Sequence, residues 1–481
     1  MCHGTFDVVH PGHIRHLSYA KSKGAILVAS LTCDKHIAKA ALRPYIPEDL
    51  RALNLAALLV VDYVIIDINQ TPLSNIQELK PDVFAKGYEY SADGIPKKTA
   101  EEKKVVSQYG GEILFTPGDV VFSSSRIIES DAPNISYEKL VSLMKLENIS
   151  FTDLKNALKI LDSLSVHVVG DTIIDSYTRT SMIGGQTKTP TISVKFIEKE
   201  SFVGGAGVVA KHLRSAGAKV KLTTVLGNDA LATFAENDLK SHGVDVNSVV
   251  DPTRPTTEKN AVVCENYRLL KIDTLDNSLI GYDSLSSILD SIKTTNSDCL
   301  VFSDFRHGIF NRDSIPEFTK AIPKGVFTVA DSQLASRWGN ILEFQGYDLI
   351  TPNEREARFA LSDQDSVIRP LATRLFMAAK CNNLILKLGS KGCMCYNKFG
   401  DDNSPEFFVL DSFAEDVVDP VGSGDALLAY AALVEKATGN KIIAAIIGAM
   451  AAGCECEVDG NVPVCIDAIE AKISKFERRI F

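Results

Sequence analysis

Short apolar runs alternate with longer amphipathic stretches along almost the whole chain. In the first part "AILVASL", "DYVIID", "DVFAKG" and "GEILFTP" are brief, mostly apolar and bounded by turn residues, which predicts strands. Between them "HIRHLSYAKSKG", "PEDLRALNLAALL", "LSNIQELK" and "AEEKKVVSQYGG" carry the 3.6-residue period of helices. Gly24 and Gly110 stand where helix C-caps are expected. Strands alternating with helices predict a parallel sheet covered on both faces. The pattern stops near "SSSRIIES", and "DAPNISYEKL" marks a break.

A second alternating series starts with "VHVVGD" and continues through "CLVFSD", "VFTVAD", "DLITPN" and "LILKLG". It is interrupted by "SYTRTSMIGGQTKTPTISVKFIEKESF", which is polar, rich in Thr and Lys, and reads as extended strands. A helical region of small residues closes the chain. The expected division is an α/β domain over residues 1–130, a helical linker over 131–150 and a larger α/β domain over 151–481.

Composition adds little to this picture and removes some alternatives. The chain has 481 residues, 45% hydrophobic and 23% charged, with a net charge of −10, as expected of a globular protein. Neither half has the basic surplus of a nucleic-acid binder. The pairs Cys393/Cys395 and Cys454/Cys456 could ligate a metal, but small apolar residues on a strand and beside a helix is the simpler reading. The longest apolar run, "IIAAIIGAMAAGC", is too short to cross a bilayer, and no signal peptide is visible. A cytoplasmic protein that binds neither membrane nor nucleic acid is expected.

Two stretches carry chemistry. "GTFDVVHPGH" combines a glycine turn with His10 and His13, and Pro11 and Gly12 suggest the start of a helix. Free N–H groups there would face an anion, and two imidazoles could offset charge on a departing pyrophosphate. This string resembles the signature of the cytidylyltransferase-like nucleotidyltransferases. "RPYIPEDLR" with Arg51, "PDVFAKGYEY" with Lys86 and "FSSSRII" with Ser123, Ser124 and Ser125 follow in family order. The resemblance implies a Rossmann-like domain that binds ATP or CTP through Gly4, Thr5, Phe6, Gly12, Lys39, Arg51, Lys86 and Ser123–Ser125, with His10 and His13 catalytic. A central parallel strand normally has about five or six residues. At most Met1–His3 precede the motif, so unpaired ladder groups and a true start further upstream are expected.

The second stretch is "DPVGSGDALLAY". Gly422, Ser423 and Gly424 can turn their N–H groups toward a phosphoryl group, and Asp425 can take a proton from an attacking hydroxyl. With "GDTIID", "FVGGAG", "TPNEREA" and "LKLGSKG" it resembles the ribokinase (PfkB) family of sugar kinases over about residues 150–478. That resemblance implies a ribokinase-like α/β domain with a small β-lid near residues 177–202. It assigns Asp425 as base, and Gly422, Ser423, Gly424, Lys387, Gly389 and Asn353 to the anion hole and ATP. Asn353 and Glu356 would organise Mg²⁺ through water, while Asp171, Asp175, Gly204, Gly205 and Lys259 would bind the sugar. Val208, Gln333 and Val421 depart from the family pattern, the first two at sugar-reading positions.

The pairing resembles the bifunctional heptose-phosphate kinase/adenylyltransferases of lipopolysaccharide assembly, with the domain order reversed. It implies phosphorylation of heptose 7-phosphate at O1, nucleotidyl transfer to a sugar 1-phosphate giving ADP-heptose, and a separate sugar bisphosphate phosphatase. A homodimer through the lid is also implied. Two other expectations stay open: a kinase for another sugar fused to a transferase for another phosphorylated alcohol, and one half reduced to a nucleotide-binding module.

Overall fold

The computed structural model describes residues 1–7, 9, 11–37, 46–87, 97–115, 135–185, 192–265, 267–334, 339–398 and 405–478. The expected residues His10, Lys39 and Ser123–Ser125 lie outside them. The chain forms two compact units, Met1–Pro133 and Asn134–Phe481. Among the described residues no helix is long and apolar enough to cross a membrane.

In the first unit the strands are β1 (Cys2–Gly4), β2 (Val28–Thr32), β3 (Tyr63–Asp67), β4 (Val83–Lys86) and β5 (Glu112–Phe115). They pair in parallel in the order β3-β2-β1-β4-β5. Helices α1 (Pro11–Lys21), α2 (Glu48–Ala56), α3 (Leu73–Leu79) and α4 (Lys97–Gln108) fall where the amphipathic period put them. Leu17, Leu31 and Leu55 are wholly buried in one shared cluster. Gly110 takes the left-handed cap conformation, at φ 85°, but Gly24 is not among the positive-φ glycines.

The central strand β1 is short, as expected, yet its neighbours are not left unpaired. Cys2, His3 and Gly4 pair with Ala29, Ser30 and Leu31, and Cys2 also pairs with Ala85. Beyond the strand, Ala85 N donates to Met1 O at 2.9 Å, and the terminal ammonium of Met1 donates to Val83 O at 2.8 Å.

The second unit contains β6 (Ser165–Gly170), β7 (Thr172–Gly185), β8 (Ile192–Gly205), β9 (Lys219–Leu226), β10 (Asp245–Val250), β11 (Glu258–Cys264), β12 (Tyr267–Thr274) and β13 (Cys299–Asp304). Then follow β14 (Phe327–Ser332), β15 (Leu349–Ile350), β16 (Asn383–Lys387), β17 (Cys393–Lys398) and β18 (Pro405–Leu410). Nine of them form one sheet, β10-β9-β6-β13-β14-β15-β16-β17-β18, parallel as far as β16 and antiparallel beyond it. A separate four-stranded sheet, β12-β11-β7-β8, is built from the polar stretch expected to be extended and from the β11–β12 hairpin.

The segment read as a linker is corrected. Helix α5 (Ile135–Leu146) buries Leu140 and Met144 in the core of the second unit, and Lys139 pairs with Asp411 at 2.9 Å. It is an integral helix of that unit, followed by α6 (Phe151–Lys159), whose Ser150–Asp153 capping box fixes its start.

Backbone approach is tight where β6 ends. A Cβ on Gly170 would lie 2.4 Å from Ser303 O and 2.7 Å from the Ala206 Cβ, so only glycine fits without backbone movement. Gly170→Ala should therefore cost the second unit about 2 kcal/mol or more in chemical denaturation, and an unchanged midpoint would contradict this packing.

Candidate functional site

In the first unit the site residues gather at the carboxyl ends of the parallel strands, where ligands of such sheets bind. Gly4 ends β1, and Phe6 follows in a left-handed conformation, φ 47°, that is costly for a bulky residue. Its ring meets His13 edge-on with centroids 5.2 Å apart, and a Cβ on Gly4 would come within 3.2 Å of the Phe6 ring. Pro11 opens α1, which puts Gly12 and half-buried His13 in the first helical turn. Thr5 lies in the same loop, between Gly4 and Phe6.

The expected nucleotide contact through Arg51 is corrected. Its side chain is wholly buried, with Nε donating to Ile46 O at 2.9 Å and Nη2 to Thr32 O at 2.9 Å and Asp34 at 2.5 Å. Nη1 donates to Thr5 O. Arg51 ties the loop after β1 to the loop after β2, a positioning role. Lys86, at the end of β4, forms an ion pair with Glu102 and reaches Thr99 Oγ1 at 3.3 Å. Sequence reasoning missed His3, held between Ser30 Oγ at 3.0 Å and Thr32 Oγ1 at 3.3 Å. Burial lowers its pKa to about 4, so it is neutral at pH 7.

In the second unit α9 denotes Ser423–Thr438 and α10 Lys441–Cys456, after α7 (Ala206–Ser215) and α8 (Glu354–Leu361). Gly422 caps α9 at φ 85°, and the N–H groups of Gly422 and Gly424 have no acceptor among the described residues. Ser423 turns its hydroxyl back to Pro420 O at 2.8 Å. Asp425 is buried in the first turn, and burial, reinforced by the charge of Asp331, raises its pKa to about 7.

Lys387 ends β16, with its ammonium 3.2 Å from both carboxylate oxygens of Asp331. A Cβ on Gly424 would lie 3.2 Å from that ammonium. Burial alone would lower the Lys387 pKa, but Asp331, Glu356 and Asp425 outweigh it and the pKa is raised. Asn353 bridges Lys387 in the backbone and caps α8. Its N and Nδ2 each donate to the Glu356 carboxylate at 2.7 Å, while Glu356 N donates back to Asn353 Oδ1 at 2.9 Å. Burial and then Asp331 raise the Glu356 pKa. Gly389 is exposed, with open space where a side chain would stand.

The residues expected to bind the sugar lie largely on β7 and β8. A Cβ on Gly204 would lie 2.1 Å from Asp175 Oδ2, so the carboxylate needs glycine there, and Asn461 Nδ2 donates to that oxygen at 3.2 Å. Gly205 takes φ 60° at the start of α7. Lys259 Nζ lies 5.5 Å from the Phe305 ring centroid, its pKa lowered by burial and partly restored by Asp175. Asp171, expected on the sugar side, is buried, and its Oδ2 accepts from Phe305 N at 2.9 Å and His307 N at 3.3 Å. It holds the turn after β13. Val208 is a core residue of α7.

Sequence reasoning missed Asp331, His307, Glu455 and Asn461, which stand alone in the chain and meet this site only through the fold. Cys393 and Cys395 are buried neighbours on β17, with sulfurs 3.9 Å apart, and among the described residues no three His, Cys, Asp or Glu side chains gather as a metal-ligand group.

Residues 1–130 match the family described as cytidylyltransferase-like, and residues 163–460 match the pfkB family carbohydrate kinases. The bifunctional protein HldE of Geobacter sulfurreducens is 26% identical over 274 residues, covering 56% of this chain and 54% of that protein. HldE of Desulfatibacillum aliphaticivorans is 28% identical over 340 residues, covering 69% and 66%. The chain thus matches between about half and two thirds of the length of these curated relatives. In fold, the second unit is similar to phosphofructokinase-2 of Escherichia coli, at TM-score 0.55 and 16% identity, covering 66% of this chain and 100% of that one. Arabidopsis thaliana ribokinase gives 0.50 and 19%, covering 65% and 98%. Since the match to the kinase family spans more than half of its residues, the chain belongs to the pfkB family of carbohydrate kinases.

Proposed function

We propose that the chain activates a sugar in two steps, one in each unit. The second unit phosphorylates a sugar phosphate, heptose 7-phosphate at O1, with ATP. The first joins a nucleotide to the sugar 1-phosphate, giving ADP-heptose and pyrophosphate. The observation that carries the reading is buried Asp425 beside the N–H groups of Gly422 and Gly424, which have no acceptor among the described residues, at the head of one helix. An ionised Asp425 takes the proton of the sugar hydroxyl as its oxygen bonds to the γ-phosphorus and the bond to ADP breaks. Gly422 and Gly424 N–H groups and the Lys387 ammonium face the charge that develops. In the first unit, His13 and the start of α1 do the same for departing pyrophosphate.

Asn353 and Glu356 offer oxygen donors of the kind Mg²⁺ accepts, and both lie beside Lys387. They would hold the ion through water, and it would neutralise nucleotide phosphate charge. In this reading a separate phosphatase removes the 7-phosphate between the two steps, the product enters lipopolysaccharide assembly, and the enzyme works in the cytoplasm. A second reading, a kinase for a different sugar, is favoured by Val208, whose buried apolar side chain stands where many relatives have a sugar-contacting Asn.

The four-stranded lid leaves Met182, Ile183, Ile192, Phe196 and Ile197 more than half exposed, which supports a homodimer through it. Light scattering should give twice the chain mass, and half that for Phe196→Glu; equal masses would contradict the lid interface.

The function is tested by mass analysis of products from heptose 7-phosphate, ATP and an added phosphatase, beside a panel of other sugars. ADP-heptose is expected. Asp425→Asn should slow the kinase step by about 10²–10⁴-fold while leaving pyrophosphate release from supplied heptose 1-phosphate intact. Turnover of another sugar but not heptose 7-phosphate would favour the second reading. Nucleotide binding without pyrophosphate release would reduce the first unit to a binding module.

A further inference from the structure

Behind the anion-binding turn lies a carboxyl group that phosphoryl transfer does not itself use. Glu455, in the last turn of α10, is 1% exposed, and neither carboxyl oxygen has a hydrogen-bond partner among the described residues. A Cβ on Gly422 would lie 2.9 Å from Glu455 Oε1 and 3.1 Å from Asn461 Oδ1, so both oxygens converge on this left-handed glycine. Among the described residues Asn461 Oδ1 also lacks a partner, while its Nδ2 donates to Asp175.

Buried acceptors left without donors are costly. One amide stands between two carboxyl groups. With Nδ2 donating to Asp175, Oδ1 is turned toward Glu455, and a proton on Glu455 gives that oxygen a donor. The surrounding charges favour that assignment. Asp175 has Lys259 and Lys271 near it. Glu455 faces Asp425 and Asp419 from the glycine turn and α9, against Lys211 on α7, with Cys454 and Cys456 beside it on its own helix.

We propose that Glu455 is a positioning residue for sugar phosphorylation: its carboxyl O–H donates to Asn461 Oδ1 and so fixes the amide that holds Asp175 behind Gly422. Burial, with Asp425 and Asp419, pushes the Glu455 pKa to about 8, which keeps the proton in place at neutral pH. The assignment rests on the kinase reading for its effect on sugar, but its protonation is a property of the fold alone.

Two measurements separate the two. Glu455→Gln keeps a donor toward Asn461 and should hold KM for the sugar within about threefold, whereas Glu455→Val should raise it about tenfold at pH 7. Equal effects of the two variants would overturn the proposal. The second measurement is the melting temperature of wild type against Glu455→Gln across pH. A carboxyl whose folded pKa lies above its unfolded value of 4.5 contributes stability at low pH that is lost as pH rises toward about 8. The melting difference should therefore move in favour of Glu455→Gln over that window and level off above it. A constant difference, or a dependence on monovalent cation that the substitution removes, would show an ionised Glu455 and overturn the proposal. If wild type phosphorylates no sugar at all, the functional reading fails while the melting comparison still judges Glu455.

Discussion

The Lys387 ammonium sets the charge balance on which the kinase site depends. It lies against Asp331 at 3.2 Å, and Glu356 and Asp425 both act on its ionisation. Sheet order produces this meeting: β14, β15 and β16 are parallel neighbours, so Asp331, the Asn353 cap and Lys387 come to the same edge. Three carboxyl groups in a buried place cannot all be charged at little cost. The balance is struck by raising the pKa values of Glu356 and Asp425 and keeping Lys387 protonated. In the proposed reading, an ATP phosphate at Gly422 and Gly424 would enter the same balance.

Glycines determine how closely the two sides of the site approach. Gly204 leaves room for Asp175 Oδ2, Gly424 for the Lys387 side chain and Gly422 for Glu455 and Asn461. Each added Cβ would fall within about 3.2 Å of a functional polar atom. The loops "FVGG" and "GSGD" are thus contact surfaces as well as turns.

Much of this was legible in the sequence where residues act as contiguous strings. The strands and helices of the first unit follow the periodic pattern closely, and Asn353 and Glu356, expected together as one motif, do meet, joined in a capping box that only the structure shows. Other readings needed the fold. Arg51 is a residue type that contacts nucleotide phosphates, but the same guanidinium clamps loops when turned inward, and only burial distinguishes the two. An amphipathic helix cannot show in its sequence which unit it covers; α5 covers the larger core with Leu140 and Met144. Asp331, Glu455 and Asn461 carry no local signal, because sheet order and helix packing bring them to the site.

The central claim, that a buried Asp425 is the base, is tested most directly by the single-turnover rate of sugar phosphorylation against pH at saturating ATP. With a pKa of about 7, the rate should rise about tenfold per pH unit below neutrality and level off above it. The residual rate of Asp425→Asn should lack that limb. A wild-type rate that stays flat between about pH 5.5 and 8.5 would contradict the account.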